Sequence, residues 1–582
     1  MSTFFITTAI DYTNGAPHIG HAYEKVLADV LARYHRLKGD DVFFLTGVDQ
    51  HGQKVQQSAE KQGVAPQEFV DGITGKFKAL WDKLDVRYDG WAATTDELHK
   101  EAVRANLQML WDDKDATTGE SRWIYKKTQR GYYSVRQEQF LTDKERDPDG
   151  EFGPEWQPVE EREEENFYFR LTQDPATGLP GFDPKQWLLE FIDSRCAQEK
   201  PFVIPDFRVA ELRNAVEKLD GDLCISRPAA RLQWGIPFPE SFGAGFVTYV
   251  WFDALVNYIS FVPGHDPHYG RGTAASASGK APGARGFQDW WPALHVIGKD
   301  IMIPAHGVYW PIMLKALGFT EEEMPTLLVH GWWNISGAKM SKSLGNVIDP
   351  DVLAEKYGAE AVRYYLVSDI ATGKDADFSE ERLVQRYNTD LANSLGNLLN
   401  RTLSMVAKYR EGKISAPEGL RETLQALDRG ETVIETVELD SPTVFVGRRA
   451  VRVNGTWQSY AEEMDRHEVW RGLSAALDIS SSSNELIDQT APWKLAKDHT
   501  QASQLDAVLY HLAESLRIIA ILLSPVLRKA AQGIFDQLNW KMDEQGPETR
   551  FRLADAKWGG LPDGHVLGKP TPLFPRIETK PE

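Results

Sequence analysis

The chain has 582 residues, 42% hydrophobic and 26% charged, ordinary usage for globular domains, with 65 Lys and Arg against 85 Asp and Glu and a net charge of −20. Its length allows about four domains and excludes a small scaffold that needs disulfide or metal staples. The acidic balance excludes a protein that coats nucleic acid indiscriminately and restricts any RNA contact to a local basic surface. Two cysteines, Cys196 and Cys224, make neither a four-thiolate zinc site nor a disulfide framework, which points to a reducing compartment. The first residues lack a signal peptide's basic and apolar segments, and the longest apolar run, about 518–527, is too short to cross a bilayer. A cytoplasmic, soluble, multidomain protein with no membrane partner is the expectation.

In chain order, Phe4 to Thr8 reads as a short buried strand and Asn14-Gly15-Ala16-Pro17 as a turn. Apolar residues at Val26, Leu27, Val30, Leu31, Tyr34 and Leu37 predict a helix closed by Gly39, and Asp41 to Gly47 a second strand. Strand, turn, helix, strand is how an α/β doubly wound parallel sheet begins, and such sheets bind nucleotides beyond their strand ends. From about 115 to 225 the texture changes. Residues 141–170 hold eleven acidic and four basic residues with Pro and Gly interspersed, which predicts an insertion. Sheet texture resumes with Phe246 to Phe261 and runs to about 348, interrupted by a small-residue surface loop at 267–285. Beyond about 380 the spacing predicts helices: Leu391, Leu395, Leu398 and Leu399 share one face, and Leu505, Val508, Leu509, Leu512, Leu516 and Ile519 another. Residues 381–413 carry six basic and three acidic side chains, against the acidic trend. Alternation from Val433 to Trp457 predicts a small β excursion, and the Pro- and Gly-rich tail from about Asn539 an extended strap.

Two motifs carry chemistry. His18-Ile19-Gly20-His21 lies where the first strand turns into the first helix, and a helix N-terminus with unpaired N–H groups suits phosphate. Two imidazoles three residues apart there can donate hydrogen bonds to phosphates as charge builds, and Gly20 lets a ring approach the backbone. Lys339-Met340-Ser341-Lys342-Ser343 follows Ser336-Gly337 and precedes Leu344-Gly345-Asn346. Two lysines among small residues describe a mobile loop that closes over a triphosphate and neutralises leaving pyrophosphate.

Together these motifs resemble the two signatures of class I aminoacyl-tRNA synthetases. The blocks Thr7 to Tyr12, Phe44 to Gly52, Tyr249 to Ala254, Ile297 to Ile301, Ala491 to Lys494 and Leu567 to Pro570 are similar to those of methionyl-tRNA synthetases, over nearly the whole chain. The resemblance implies a Rossmann-type catalytic domain in two halves, 1–114 and 226–349, around a connective domain at 115–225. It then implies a stem-contact region at 350–380 with the lysine loop just before it. A helical anticodon-binding domain at 381–540, with a small insertion near 428–460, and a strap at 541–582 complete the division. The resemblance implies that methionine is activated with ATP and Mg2+ and passed to tRNA(Met). His18, His21, Lys339 and Lys342 are implied as catalytic, and Gly20, Glu24, Asp300, Arg227 and Ser343 as nucleotide contacts, with Arg227 equally suited to a structural ion pair. The methionine pocket maps to Ile10, Tyr12, Asp49, Trp251, Leu255, Tyr258 and His306. Asp49 meets the ammonium, the aromatic walls suit a thioether, and Tyr258 and His306 offer the sulfur weak polar contacts. Asn397 and Arg401, four apart on one helix face, and Trp493 match the anticodon-reading residues.

The chain departs from the family in three places. Leu255 stands where proline is usual, and Ala305 where an aromatic is usual. In the connective domain, Ser134 and Gln137 occupy the first pair of zinc-knuckle thiol positions and Gly153-Pro154-Glu155-Trp156 the second, so no metal and no structural zinc is expected. The chain ends near the Lys569 block, which favours a monomer. Two other readings compete: a class I synthetase for another apolar amino acid, and a non-catalytic tRNA-binding paralogue. The first usually needs a large editing domain, since one methylene gives only about 10–200-fold discrimination, and the interval from His21 to Lys339 is short for one. The second has no use for intact His18, His21, Lys339 and Lys342.

Overall fold

A computed structural model describes residues 2–134, 139–141, 143–147, 149–173, 182–266, 285–340, 347–416, 442–540 and 551–578. Strand β1 (Thr3–Thr8) is followed by the two-residue strand β2 (Asp11–Tyr12), helix α1 (Ile19–Lys38) and strand β3 (Asp41–Asp49). β1 and β2 lie in succession along one edge of β3, Thr3 to Thr7 opposite Asp41 to Leu45 and Asp11–Tyr12 opposite Val48–Asp49. On the other edge of β3 lies β4 (Gly90–Ala93). The sheet continues from β1 through Leu294–Gly298 and Thr326–His330 to Val203–Ile204, all parallel. Its strands are buried, as the continuous apolar runs require. α1 packs Val26, Leu27, Val30, Leu31 and Tyr34 into the core, and Gly39 ends it in a left-handed conformation (φ 95°) that a side chain would strain.

β1 has neighbours on both edges that are reached by crossovers in opposite directions, so a crevice opens where its carboxyl end meets that of Leu294–Gly298. The ladder also breaks at Ala9 and Ile10, between β1 and β2, and both residues line the crevice.

The insertion is a long antiparallel ribbon, Ile124–Ser134 against Val159–Phe169, with short strands Gln139–Leu141 and Leu223–Cys224 on its edges. The acidic run at 160–165 lies on its second strand, largely exposed to solvent. At its tip Ser134 Oγ donates to the Trp156 carbonyl (2.6 Å). The Arg146 guanidinium lies over the rings of Tyr132 (5.1 Å) and Phe152 (4.3 Å), which contact each other. Gln137 lies outside the described residues.

The C-terminal half is a bundle of helices Asn397–Arg410, Pro442–Asp465, Val469–Thr490, Ala502–Leu523 and Arg528–Gln537. The β excursion expected from Val433 to Trp457 is corrected here: residues 442–465 are one helix, and 417–441 lie outside the described residues. Val453, Tyr460 and Met464 are its buried stripe, at spacings of seven and four, and Pro442 is its first residue, where a missing N–H costs nothing. Short alternating runs did not outweigh that helical stripe. Residues 551–578 run over the bundle mostly without regular structure; backbone groups at Asp555, Lys557 and Gly560 bond the buried pair Arg517–Glu514. No helix among the described residues is long and apolar enough to cross a membrane.

Candidate active site

The crevice is a cavity of about 600 Å³, within the usual range for small-molecule sites. Its walls come from the β1–β2 break, the start of α1, the end of β3, the helix Val250–Ser260 and the carboxyl ends of Leu294–Gly298 and Thr326–His330.

At the α1 end, His18 is the N-cap. Its Nδ1 accepts from the Gly20 N–H (3.1 Å), and the His18 N–H donates to His21 Nδ1 (3.1 Å). With both Nδ1 atoms used as acceptors, each neutral ring carries its proton on Nε2. The capping box therefore fixes two imidazole donors at the positive end of a 20-residue helix. A Cβ at Gly20 would lie 2.9 Å from His18 Cε1, so this glycine is needed for the cap as well as for a close ligand.

At the opposite wall, Asp49 ends β3. Its Oδ1 is buried without a hydrogen-bond partner, among Tyr12, Trp251, Leu255 and Tyr258. Burial, and then the nearby Asp253 carboxylate, hold the Asp49 carboxyl well above its ordinary range. Asp253 itself is buried, yet His51 (2.6 Å) and His99 (2.8 Å) bond it and keep it below the ordinary range. Two neighbouring carboxyls are thus driven apart, one braced by imidazoles and one facing the cavity.

The apolar wall is fixed by a second chain of bonds. Segment Met302–Tyr309 is unwound at Ile303, where the residue before proline is extended, and this turns His306 inward. His306 Nδ1 donates to the Ile301 carbonyl (2.9 Å), so its Nε2 accepts from the Tyr258 hydroxyl (2.7 Å). Burial pulls the imidazole down to about 4, which leaves it neutral near pH 7. Tyr258 also lies 4.1 Å, ring to ring, from His295, itself bonded to Thr7 and Trp310. Tyr258→Phe leaves His306 Nε2 without its donor, a cost of about 1–3 kcal/mol. We expect this change to raise the KM of the substrate this wall holds several-fold, with a smaller change in kcat, measured by steady-state kinetics.

Glu24 lies on α1 itself, one turn beyond its start, and borders the cavity. Burial works against its charge, but Lys25 and His330 outweigh that and hold the carboxylate below its ordinary range. Asp300 accepts from Trp332 Nε1 (3.2 Å). The hairpin Trp333–Ile335/Ala338–Lys339 turns through Ser336 and Gly337, both at positive φ as a two-residue hairpin requires. It leads to Met340, which lines the cavity. Beyond the lysine segment, the Ile348 carbonyl accepts from Ile19 N–H of α1 (3.1 Å). Lys342 and Ser343 lie outside the described residues, as does the side chain of Lys339.

Ile10, Tyr12, His18, Gly20, His21, Glu24, Asp49, Trp251, Leu255, Tyr258, Asp300 and His306 all border this one cavity. Arg227 does not. It is buried behind the wall, its guanidinium 4.0 Å from the ring of Tyr249, and bonds the Ser226 carbonyl. Asn397, Arg401 and Trp493 lie on the bundle. Arg401 bonds Asp488 (2.7 Å) near the end of the helix that leads to Trp493, which is 41% exposed, unusual for that ring. Sequence reasoning missed Asp11, His330, Trp332 and the His51–Asp253–His99 chain. Asp11, a carboxylate within an apolar run, was the one visible signal.

A family model described as tRNA synthetases class I (M) matches residues 4–149 and 157–403. The chain belongs to the methionyl class I tRNA synthetases. A second model, the anticodon binding domain of methionyl tRNA ligase, matches residues 449–581. Methionine–tRNA ligases of Lactococcus lactis and Bacillus subtilis are each 37% identical over the whole of this chain, covering 78% and 79% of their own lengths. A structure of Mycobacterium tuberculosis methionyl-tRNA synthetase in complex with methionyl-adenylate superposes with a TM-score of 0.78 at 32% identity, over 99% of this chain and all of that one. This synthetase family accounts for the pairing of an ammonium-sized carboxylate pocket with a capped helix start in one crevice.

Proposed function

We infer that this chain is an ATP-dependent methionine–tRNA ligase: it joins methionine to ATP as methionyl-adenylate and passes the methionyl group to tRNA(Met). The observation that carries this reading is Asp49. A buried carboxyl with one unpartnered oxygen, ringed by aromatic and aliphatic walls, fits the ammonium and thioether of methionine, and it faces a helix start that fits phosphate.

The methionine carboxylate attacks the α-phosphorus in line; the bond to the β-phosphate breaks and pyrophosphate leaves. A terminal ribose hydroxyl of the tRNA then attacks the methionyl carbonyl, and AMP leaves. His18 and His21 donate from Nε2 to phosphoryl oxygens as charge develops, where fixed donors contribute most. Lys339 and Lys342 stabilise the departing pyrophosphate, with Ser343 beside them. Gly20, Glu24 and Asp300 hold the nucleotide, which arrives as its magnesium complex. Arg227 acts by stiffening Tyr249 from behind. Asn397, Arg401 and Trp493 read the anticodon, Trp493 by stacking. This reading takes the enzyme as a cytoplasmic monomer. Charging of tRNA transcripts tests it: those with a CAU anticodon are expected to accept methionine, and those with another anticodon to lose most of the rate. Equal charging of both would remove the anticodon assignment.

The ribbon tip does not suit zinc. At the former thiol positions the donors are the Ser134 hydroxyl, already bonded to Trp156, and the Glu155 carboxylate, with no thiol or imidazole among the described residues of 124–169. We propose that the Arg146 stack holds the tip instead. Chelation followed by restored magnesium is expected to leave the exchange rate and the thermal transition unchanged. A loss that only zinc repairs would contradict this.

A further inference from the structure

We propose that Asp11 is a further substrate-binding residue, held by Lys25, whose free oxygen takes a hydrogen bond from a ribose hydroxyl. Asp11 is 5% exposed and borders the cavity. Its Oδ1 meets Lys25 Nζ at 2.5 Å, while its Oδ2 is buried without a hydrogen-bond partner. Lys25 is fully buried and bonds Asp11, Glu24 (2.9 Å) and the Ala9 carbonyl (3.0 Å), so it fixes the carboxylate against the start of the nucleotide wall. Two carboxylates share this one ammonium, and His330 takes the other oxygen of Glu24 (3.0 Å).

The direction of Asp11 follows from the strand. Tyr12 pairs with Asp49 and Asp11 with Val48, so successive side chains on β2 point to opposite faces. Tyr12 and Asp49 serve the methionine wall. Asp11 serves the α1 wall, with His18, Gly20, His21 and Glu24. A carboxylate oxygen there repels phosphate and has no ammonium to meet, since Asp49 takes that group. The nucleotide's own donors are its ribose hydroxyls and the adenine amino group, and of these a carboxylate on a ribose hydroxyl is a recurrent device of doubly wound sheets. The hydroxyl belongs either to the adenosine of ATP or to the terminal nucleotide of the tRNA. Lys25 touches no substrate in this scheme and is a positioning residue.

This inference rests on the ligase reading, and the test separates the two. Methionine-dependent exchange by the parent protein checks the reading itself. Asp11→Ala is then compared with the parent using ATP, 2′-deoxy-ATP and 3′-deoxy-ATP, and in transfer to tRNA ending in ribose, 2′-deoxyribose or 3′-deoxyribose. If the hydroxyl is adenosine's, the variant raises the ATP KM about tenfold, the loss expected for one hydrogen bond to a charged group. It also matches the parent on the analogue that lacks that hydroxyl, with the methionine KM unchanged. If it is the tRNA's, exchange is unaffected and transfer loses its preference between the ribose end and the deoxyribose end that still carries the accepting hydroxyl. An unchanged preference in both arms, in a variant that is folded and active, overturns the proposal. Asp11→Leu, which fills the space and leaves Lys25 paired with Glu24, gives a second variant should the first not fold, and the same outcomes decide.

Discussion

Replacing Asp49 by alanine is expected to lower kcat/KM for methionine by about two to three orders of magnitude, the size of a buried charge left without its partner. Most of the loss should appear in KM, since the ammonium is bound alike before and during displacement. Stability should move the other way. A carboxyl whose folded pKa is raised contributes stability that is present below its unfolded pKa and is lost as pH rises through the folded value. Asp49 is such a group, raised by burial and by Asp253, so at neutral and alkaline pH it costs the fold. The alanine variant should therefore melt no lower than the parent at pH 8, and relatively lower as pH falls. By the same sign, methionine binding to the parent should weaken as pH falls, because a protonated Asp49 cannot pair with an ammonium. Thermal scans and methionine KM at matched pH check both halves. A variant that loses activity and stability together would mark Asp49 as structural.

Arg363→Met is expected to cost about 3–5 kcal/mol of stability, the usual penalty for breaking a buried ion pair from one side. Arg363 lies on helix Ala359–Ser368, its side chain 2% exposed, and bonds Asp29 of α1 (2.7 Å) with the carbonyls of Leu84, Pro525 and Val526. One guanidinium thus ties the helix that His18 caps to the loop that follows the bundle helix Ala502–Leu523. Asp29 keeps Arg33 (2.7 Å), so the greater harm is to the three carbonyls, which a methionine cannot satisfy. Because the bundle matches the family's anticodon binding domain, tRNA charging should fall more than pyrophosphate exchange. Calorimetry and the two assays in parallel measure this. An unchanged transition with proportionate loss in both assays would sink the coupling.

The local parts of this molecule were legible in its sequence. The first strand, helix and second strand follow from periodicity, and Gly39 stops the helix where expected. The histidine motif needed only its position at a strand–helix turn. Partners remote in the chain were not legible. Asp253 meets His99 across 154 residues, and no local pattern announces that contact. Arg227 kept its motif position, yet a strand crossing turned it behind Tyr249 rather than into the cavity. The same holds for Tyr258: its aromatic ring was legible as a pocket wall, but its hydroxyl is committed to His306, so it has no proton left for the sulfur. The misread part of the 433–457 stretch, 442–457, shows the opposite failure, where runs of two-residue alternation too short to pair concealed a helix.

Methionine activation is tested most directly by ATP–pyrophosphate exchange with purified protein, offered each amino acid in turn. The account predicts rapid exchange with methionine and at most slight exchange with leucine, isoleucine or valine. Exchange with another apolar amino acid ahead of methionine, or with none while tRNA still binds, would contradict it.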